Sequence, residues 1–189
     1  MTAEVAAWVG GRAIPVALVE ERLAELRSGP YAARLPPPGT AECRNLRRWL
    51  VQAITTEAVV EREAAAHGIA ADTRDGPSGW LTLLDALRVG GVTASIIASH
   101  PQARALRRHV VPDTTAPEDE TYGYYLRNRD RHPEPYEEVR ERIAAELGRV
   151  NQDRRFARWL DERCADLVRL QPGFEHPGDP RHPDAVHRH

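Results

Sequence analysis

The apolar positions run together at first and then space out. Val5-Ala6-Ala7-Trp8-Val9 is a short continuous apolar run, closed by Gly10-Gly11 and followed by Arg12-Ala13-Ile14. Two short runs across a Gly-Gly pair predict a strand, a tight turn and a second strand. From Pro15, which a first helical turn accepts, the period changes. Leu18, Val19, Leu23 and Leu26 form a helical stripe, with Glu20, Glu21 and Arg22 on its polar side. Gly29-Pro30 stops this helix, and Leu35-Pro36-Pro37-Pro38-Gly39 is a stiff connector. Thr40 is a good N-cap for the next helix, in which Leu46, Trp49, Leu50, Ala53, Ile54 and Ala58 give a wide apolar face. His67-Gly68-Ile69 reads as its end, with Gly68 left-handed and Ile69 packing back. This helix is expected to be long and central.

Residues 72–79 read as a loop. Ser78 caps a short helix with Trp80, Leu83, Leu84 and Leu87, and Gly90-Gly91 breaks it. Val92, Ile96 and Ile97 begin another helix that Pro101 interrupts or restarts, and Ala105, Leu106 and Val110 continue an apolar face. Thr115-Ala116-Pro117-Glu118 has capping-box spacing and opens a helix with Tyr122, Tyr124, Tyr125 and Leu126. Residues 127–135 are polar and loop out. Pro135 then opens a long helix carrying Val139, Ile143, Leu147, Val150, Phe156, Leu160, Cys164 and Leu167. Roughly thirty residues at this spacing make about 45 Å of helix. Leu167 to Leu170 leaves it as a short strand, and Pro172-Gly173 begins a tail. The expected fold is mainly α, with a small β element joining the N- and C-terminal segments. Residues 1–173 form one domain, and 174–189 an extended tail.

Composition narrows the chemistry. The 189 residues are 41% hydrophobic and 29% charged, with a formal net charge of -2, so no general electrostatic attraction to nucleic acid is expected. The chain contains no lysine, which excludes a Schiff-base lysine and a P-loop lysine. Two cysteines, Cys43 and Cys164, lie far apart without a CxxC, and a reduced cytoplasmic protein is the expectation. No secretory signal and no membrane span are expected from the apolar pattern.

The tail holds half of the eight histidines. His176, His182, His187 and His189, interleaved with Glu175, Asp179 and Asp184, are candidate ligands for zinc, nickel, copper or iron. Three histidines and an open position would give a catalytic metal, four a structural one. The competing readings are a solvated basic tail or an ordered strap without metal, stiffened by prolines at 172, 177, 180 and 183. Tyr124 and Tyr125, with Tyr122, Arg127 and Asn128 nearby, are candidate substrate-binding residues or half-buried tyrosines with their hydroxyls at a rim. Arg104, with Arg107, Arg108 and His109, is a candidate for holding a phosphopantetheine, a carboxylate or an acidic partner, or belongs to a solvated face. Trp8, Trp49, Trp80 and Trp159 fall on apolar stripes and read as packing.

Two separated blocks resemble the SurA and parvulin-type foldase family. Val5 to Pro15, Leu18 to Leu26 and Leu46 to Ile69 are similar to its N-terminal strand, hairpin and paired helices. Thr115 to Asn128 and Tyr136 to Leu160 are similar to the segments that flank the isomerase domain. Residues 70–115 are not covered. A parvulin domain of about 90 residues belongs between Asn128 and Tyr136, which here are almost adjacent, so the resemblance implies the chaperone-like helical scaffold without prolyl isomerase activity. It implies pairing of first and last strands, Val5–Val9 beside Leu167–Leu170. The expected function is cytoplasmic binding of a peptide, a protein partner or a hydrophobic small molecule. The alternative is a metal-dependent enzyme of actinobacterial specialised (polyketide or peptide) metabolism that uses the C-terminal histidines. No GxSxG elbow is present for an acyltransferase.

Overall fold

The computed structural model describes residues 4–30, 32–70, 100–112, 114–176 and 179. The predicted helix around Trp80, the segment Val92 to Ile97, and His182, His187 and His189 lie outside the described residues. What is described is mostly helical, with a three-stranded antiparallel sheet. Strand β1 (Val5–Val9) turns at Gly10-Gly11 into β2 (Arg12–Pro15). Both turn glycines have positive φ, 54° and 89°, the combination a two-residue hairpin turn of the strand-matching hand requires. Pro15 then caps α1 (Val16–Ser28). A short 3-10 turn, Ala32–Arg34, leads through the proline connector to α2 (Ala41–Ala66). Helices α3 (Pro101–Val110), α4 (Glu118–Arg127) and α5 (Tyr136–Leu167) follow, and α5 runs directly into β3 (Val168–Leu170).

The predicted pairing of the terminal segments is present. Strand order is β2-β1-β3, with Ala7 opposite Leu170, Trp8 opposite Arg169 and Val9 opposite Val168. Backbone bonds extend it at both ends, from Gly10 N to the Leu167 carbonyl (2.9 Å) and from Gln171 N to the Ala6 carbonyl (3.0 Å). Phe174, at the start of the tail, is half-buried against the same hydrophobic cluster.

Helix α2 is the axis of the fold. Its ends follow the sequence: Thr40 Oγ1 accepts from Cys43 N at 3.2 Å, and Ile69 N reaches back to the Ala64 carbonyl at 2.8 Å through left-handed Gly68. It packs against β1, α1, α3 and α5. Half of its residues are buried, including Val51, Val59 and Val60, which are off the predicted face. A helix enclosed on this many sides has little face left for water. One consequence is that Arg48, only 1% exposed, is the largest fully buried side chain described.

Three local expectations change. No capping box forms before α4: Pro117 is the N-cap and no side chain closes it, while the Thr121 hydroxyl donates to the Pro117 carbonyl at 2.8 Å. Val150 is exposed, and the buried stripe of α5 instead runs Val139, Ile143, Gly148, Gln152, Phe156, Leu160. Gly148 is on it because the segment before α4 crosses there: a Cβ would collide with the Thr114 carbonyl oxygen and lie 3.2 Å from Thr115 Cα. The tryptophans Trp8, Trp49 and Trp159 are half-buried at the margins of the core instead of fully inside it. The stripe serves two clusters. Phe156 and Leu160 join the main one with the sheet, α1, α2 and α3, whereas Val139 and Ile143 join a small one with Tyr125 of α4.

Candidate functional site

Helix α4 lies along the first half of α5 and brings four tyrosines together. Tyr122 and Tyr136 meet edge to face at 5.0 Å between centroids, and Tyr125 is 5.2 Å from Tyr136 and 6.4 Å from Tyr122. The Arg129 guanidinium sits 5.2 Å above the Tyr125 ring, an attractive arrangement for a cation on a ring face. Tyr124 faces His132 at 5.9 Å. Polar bonds fix this shelf. The Tyr125 hydroxyl donates to the Glu134 carbonyl and the Tyr136 hydroxyl to Glu118 Oε1, both at 2.9 Å. Asn128 Nδ2 donates to the Tyr124 carbonyl at 2.8 Å, closing α4. Asn151 donates to both oxygens of Glu120 at 3.2 Å, and Ala116 N to the Ala144 carbonyl at 3.1 Å. Desolvation first, and then the Glu118 hydrogen bond, push the Tyr136 phenol up to about 12.

The shelf opens outward. Tyr122 and Leu126, one turn apart on α4, are 47% and 50% exposed, and together with Val150 they are the exposed large hydrophobics among the described residues. Residues four apart share a helix face, so an apolar strip borders the ring cluster. Chemically the strip offers rings for packing, with Arg127 at the end of α4 and Arg129 and Arg131 in the turn after it at its edge. Of the predicted substrate-binding residues, Tyr124 and Tyr125 fall here. Tyr125 is buried, with its hydroxyl held inside the protein, so the exposed contact side chains are Tyr122 and Leu126.

Arg104 is elsewhere. It lies on α3, whose Ala103 and Leu106 belong to the main cluster and whose Arg107 pairs with Asp153 at 2.5 Å. The basic patch predicted on α3 is thus partly neutralised. His100 caps α3, and burial lowers its pKa, offset by Glu61 and reinforced by Arg104. His67 and His109 meet at 4.9 Å where α2 and α3 end. Among the described residues, no three or more His, Cys, Asp or Glu side chains gather as a metal site. His176 is exposed, and its carbonyl accepts from Asp179 N at 2.9 Å. Of the candidates among the described residues, the tyrosines lie on α4, Arg104 on α3 and His176 beyond β3.

Among the described residues no helix is long and apolar enough to cross a membrane. A family model described as a family of unknown function (DUF7158) matches residues 5–42, which span the hairpin, α1, the 3-10 turn and the first residues of α2. No curated protein and no solved structure matches the chain.

Proposed function

We propose that this chain is a small binding protein, SurA-like in plan and without isomerase activity, that holds an extended apolar peptide segment against the α4–α5 shelf. The observation that carries the reading is the exposed strip of Tyr122 and Leu126 beside a ring cluster in which the Tyr125 and Tyr136 hydroxyls are already bonded. Such a surface gains by covering apolar area, at about 25 cal/mol per Å², without breaking internal bonds. Rigid tyrosines also lose little side-chain freedom on binding. The pairing of β3 with β1, which the resemblance implies, supports the same plan.

The test is binding of a fluorescent-labelled unfolded client and of short Leu- and Phe-rich peptides, read by anisotropy, together with suppression of client aggregation. The double variant Y122S/L126S should weaken both by about tenfold or more, the scale of losing two buried apolar contacts, with an unchanged circular dichroism spectrum. Equal binding by the double variant, or no binding by the wild type at stoichiometric excess, would refute the reading.

A further inference from the structure

Arg48 is fully enclosed but poorly partnered. Its Nη2 donates to Asn45 Oδ1, three residues earlier on α2. Its Nε and Nη1 are buried and have no hydrogen-bond partner. One turn later, Gln52 Nε2 is also buried without a partner. An arginine is always charged, and a buried charge without hydrogen bonds is among the costliest arrangements in a protein. Neighbouring arginines each have a carboxylate: Arg22 reaches Glu57 at 3.4 Å, Arg163 reaches Glu63 at 3.1 Å and the more exposed Arg47 reaches Glu20 at 2.5 Å, although Nε of Arg47 and of Arg163 is also unbonded. Among the described residues Arg48 has no such carboxylate.

The kind of missing partner follows from the unmet atoms. All three are N–H donors, on one side chain of charge +1 and one neutral amide, set four residues apart on one face. What satisfies them is an acceptor of charge -1 with two oxygens, which is a carboxylate. A phosphate dianion would leave a second charge uncompensated. The same strip of α2 carries Val51 and Thr55, both buried, and the Thr55 hydroxyl is already bonded to the Val51 carbonyl at 2.8 Å. Val51 and the bonded Thr55 thus add no free polar group to this strip, which suits a hydrocarbon chain beside the carboxylate. Asn45 and Gln52, which flank Arg48 by one turn on either side, are only half-buried and mark the side of approach.

We propose that Arg48 and Gln52 form a buried site for a monocarboxylate with an apolar tail. The site is separate from the α4–α5 shelf and stands without it.

The experiment measures the melting temperature and calorimetric binding of the full chain with hexanoate, hexanol and inorganic phosphate at equal ionic strength. Hexanoate should raise the melting temperature in a saturable way, and hexanol and phosphate should not. R48M, checked by circular dichroism, should bind hexanoate about 10- to 100-fold more weakly, the range for a hydrogen bond to a charged group. Q52L, at a half-buried position, should bind it about 2- to 10-fold more weakly and covers the case in which R48M fails to fold. The shelf variant Y122S/L126S should bind hexanoate like the wild type, so the two proposals fail separately. The site is overturned if hexanoate gives no shift in the wild type, if hexanol or phosphate matches it, or if R48M and Q52L both bind hexanoate unchanged.

Discussion

The two hydrophobic clusters solve opposite problems. The main cluster, around α2, is mostly aliphatic with Phe156 at its heart, and the helix at its centre buries Arg48 with two of its three guanidinium nitrogens unmet. The small cluster, between α4 and the start of α5, is built of tyrosines, and its buried hydroxyl is bonded, yet it leaves Tyr122 and Leu126 open to water. Unmet polarity inside asks for a small polar ligand, and unmet apolar area outside asks for a surface partner. One long helix, α5, spans both, with Val139 and Ile143 at one end and Phe156 and Leu160 at the other. The contrast teaches that α5 is a shared strut between a stable body and a lighter arm.

That picture can be broken by loading each end of the strut. Phe156→Ala removes a fully buried ring from the body and should cost about 3–5 kcal/mol. Denaturant titration should show the whole chain destabilised, arm included, because α5 loses its anchor. An arm that melted later than the body in this variant would contradict the shared strut. Gly148→Ala is a smaller perturbation at the other end. Helix propensity alone favours alanine by about 1 kcal/mol, but its methyl meets the backbone of Thr114 and Thr115, and overpacking typically costs about 1–3 kcal/mol. A net loss of about 1–2 kcal/mol is expected, confined to the arm. Hydrogen exchange should speed up in α4 while β1 and β3 amides keep their protection; a stabilised protein would show that the crossing is loose.

The smallest effect is a titration. The Tyr136 phenol is raised in the folded protein to about 12, above the ordinary value near 10. A raised pKa gives stability that is fully present below the unfolded value and lost as pH climbs through the folded one. The arm should therefore loosen between about pH 10 and 12, and the phenolate absorbance of Y136F should rise with one fewer late-titrating group. If Tyr136 ionised at the ordinary phenol value of about 10, its bond to Glu118 would be absent in solution.

Much of the body was legible in the sequence. The Gly-Gly hairpin, Thr40, the Gly68-Ile69 stop and the pairing of the terminal strands all rest on local rules or on the resemblance, and the structure contains them. Arg48 was not legible, because an arginine on a helix reads as solvated unless the number of packing partners is known. The available signal was Val51, Val59 and Val60, apolar positions outside the main stripe of α2. The stripe of α5 was misread at Val150 because a single period was assumed along a helix that faces two clusters. Gly148 and Gln152, the residues that carry it from one to the other, do not look apolar. Of the candidate site, the tyrosines were visible as a group, but which of them faces out depends on how α4 is rotated against α5, and the pattern does not fix that rotation.

The pairing of β1 with β3 has a consequence for synthesis. Trp8 waits for Arg169, so one edge of the central strand stays open while more than a hundred and fifty residues are made. Non-local closure of this kind is slow, and an unpaired apolar strand edge is prone to the wrong partner. The hairpin with β2 guards one edge early. The other is guarded only when the ribosome has released nearly the whole described chain.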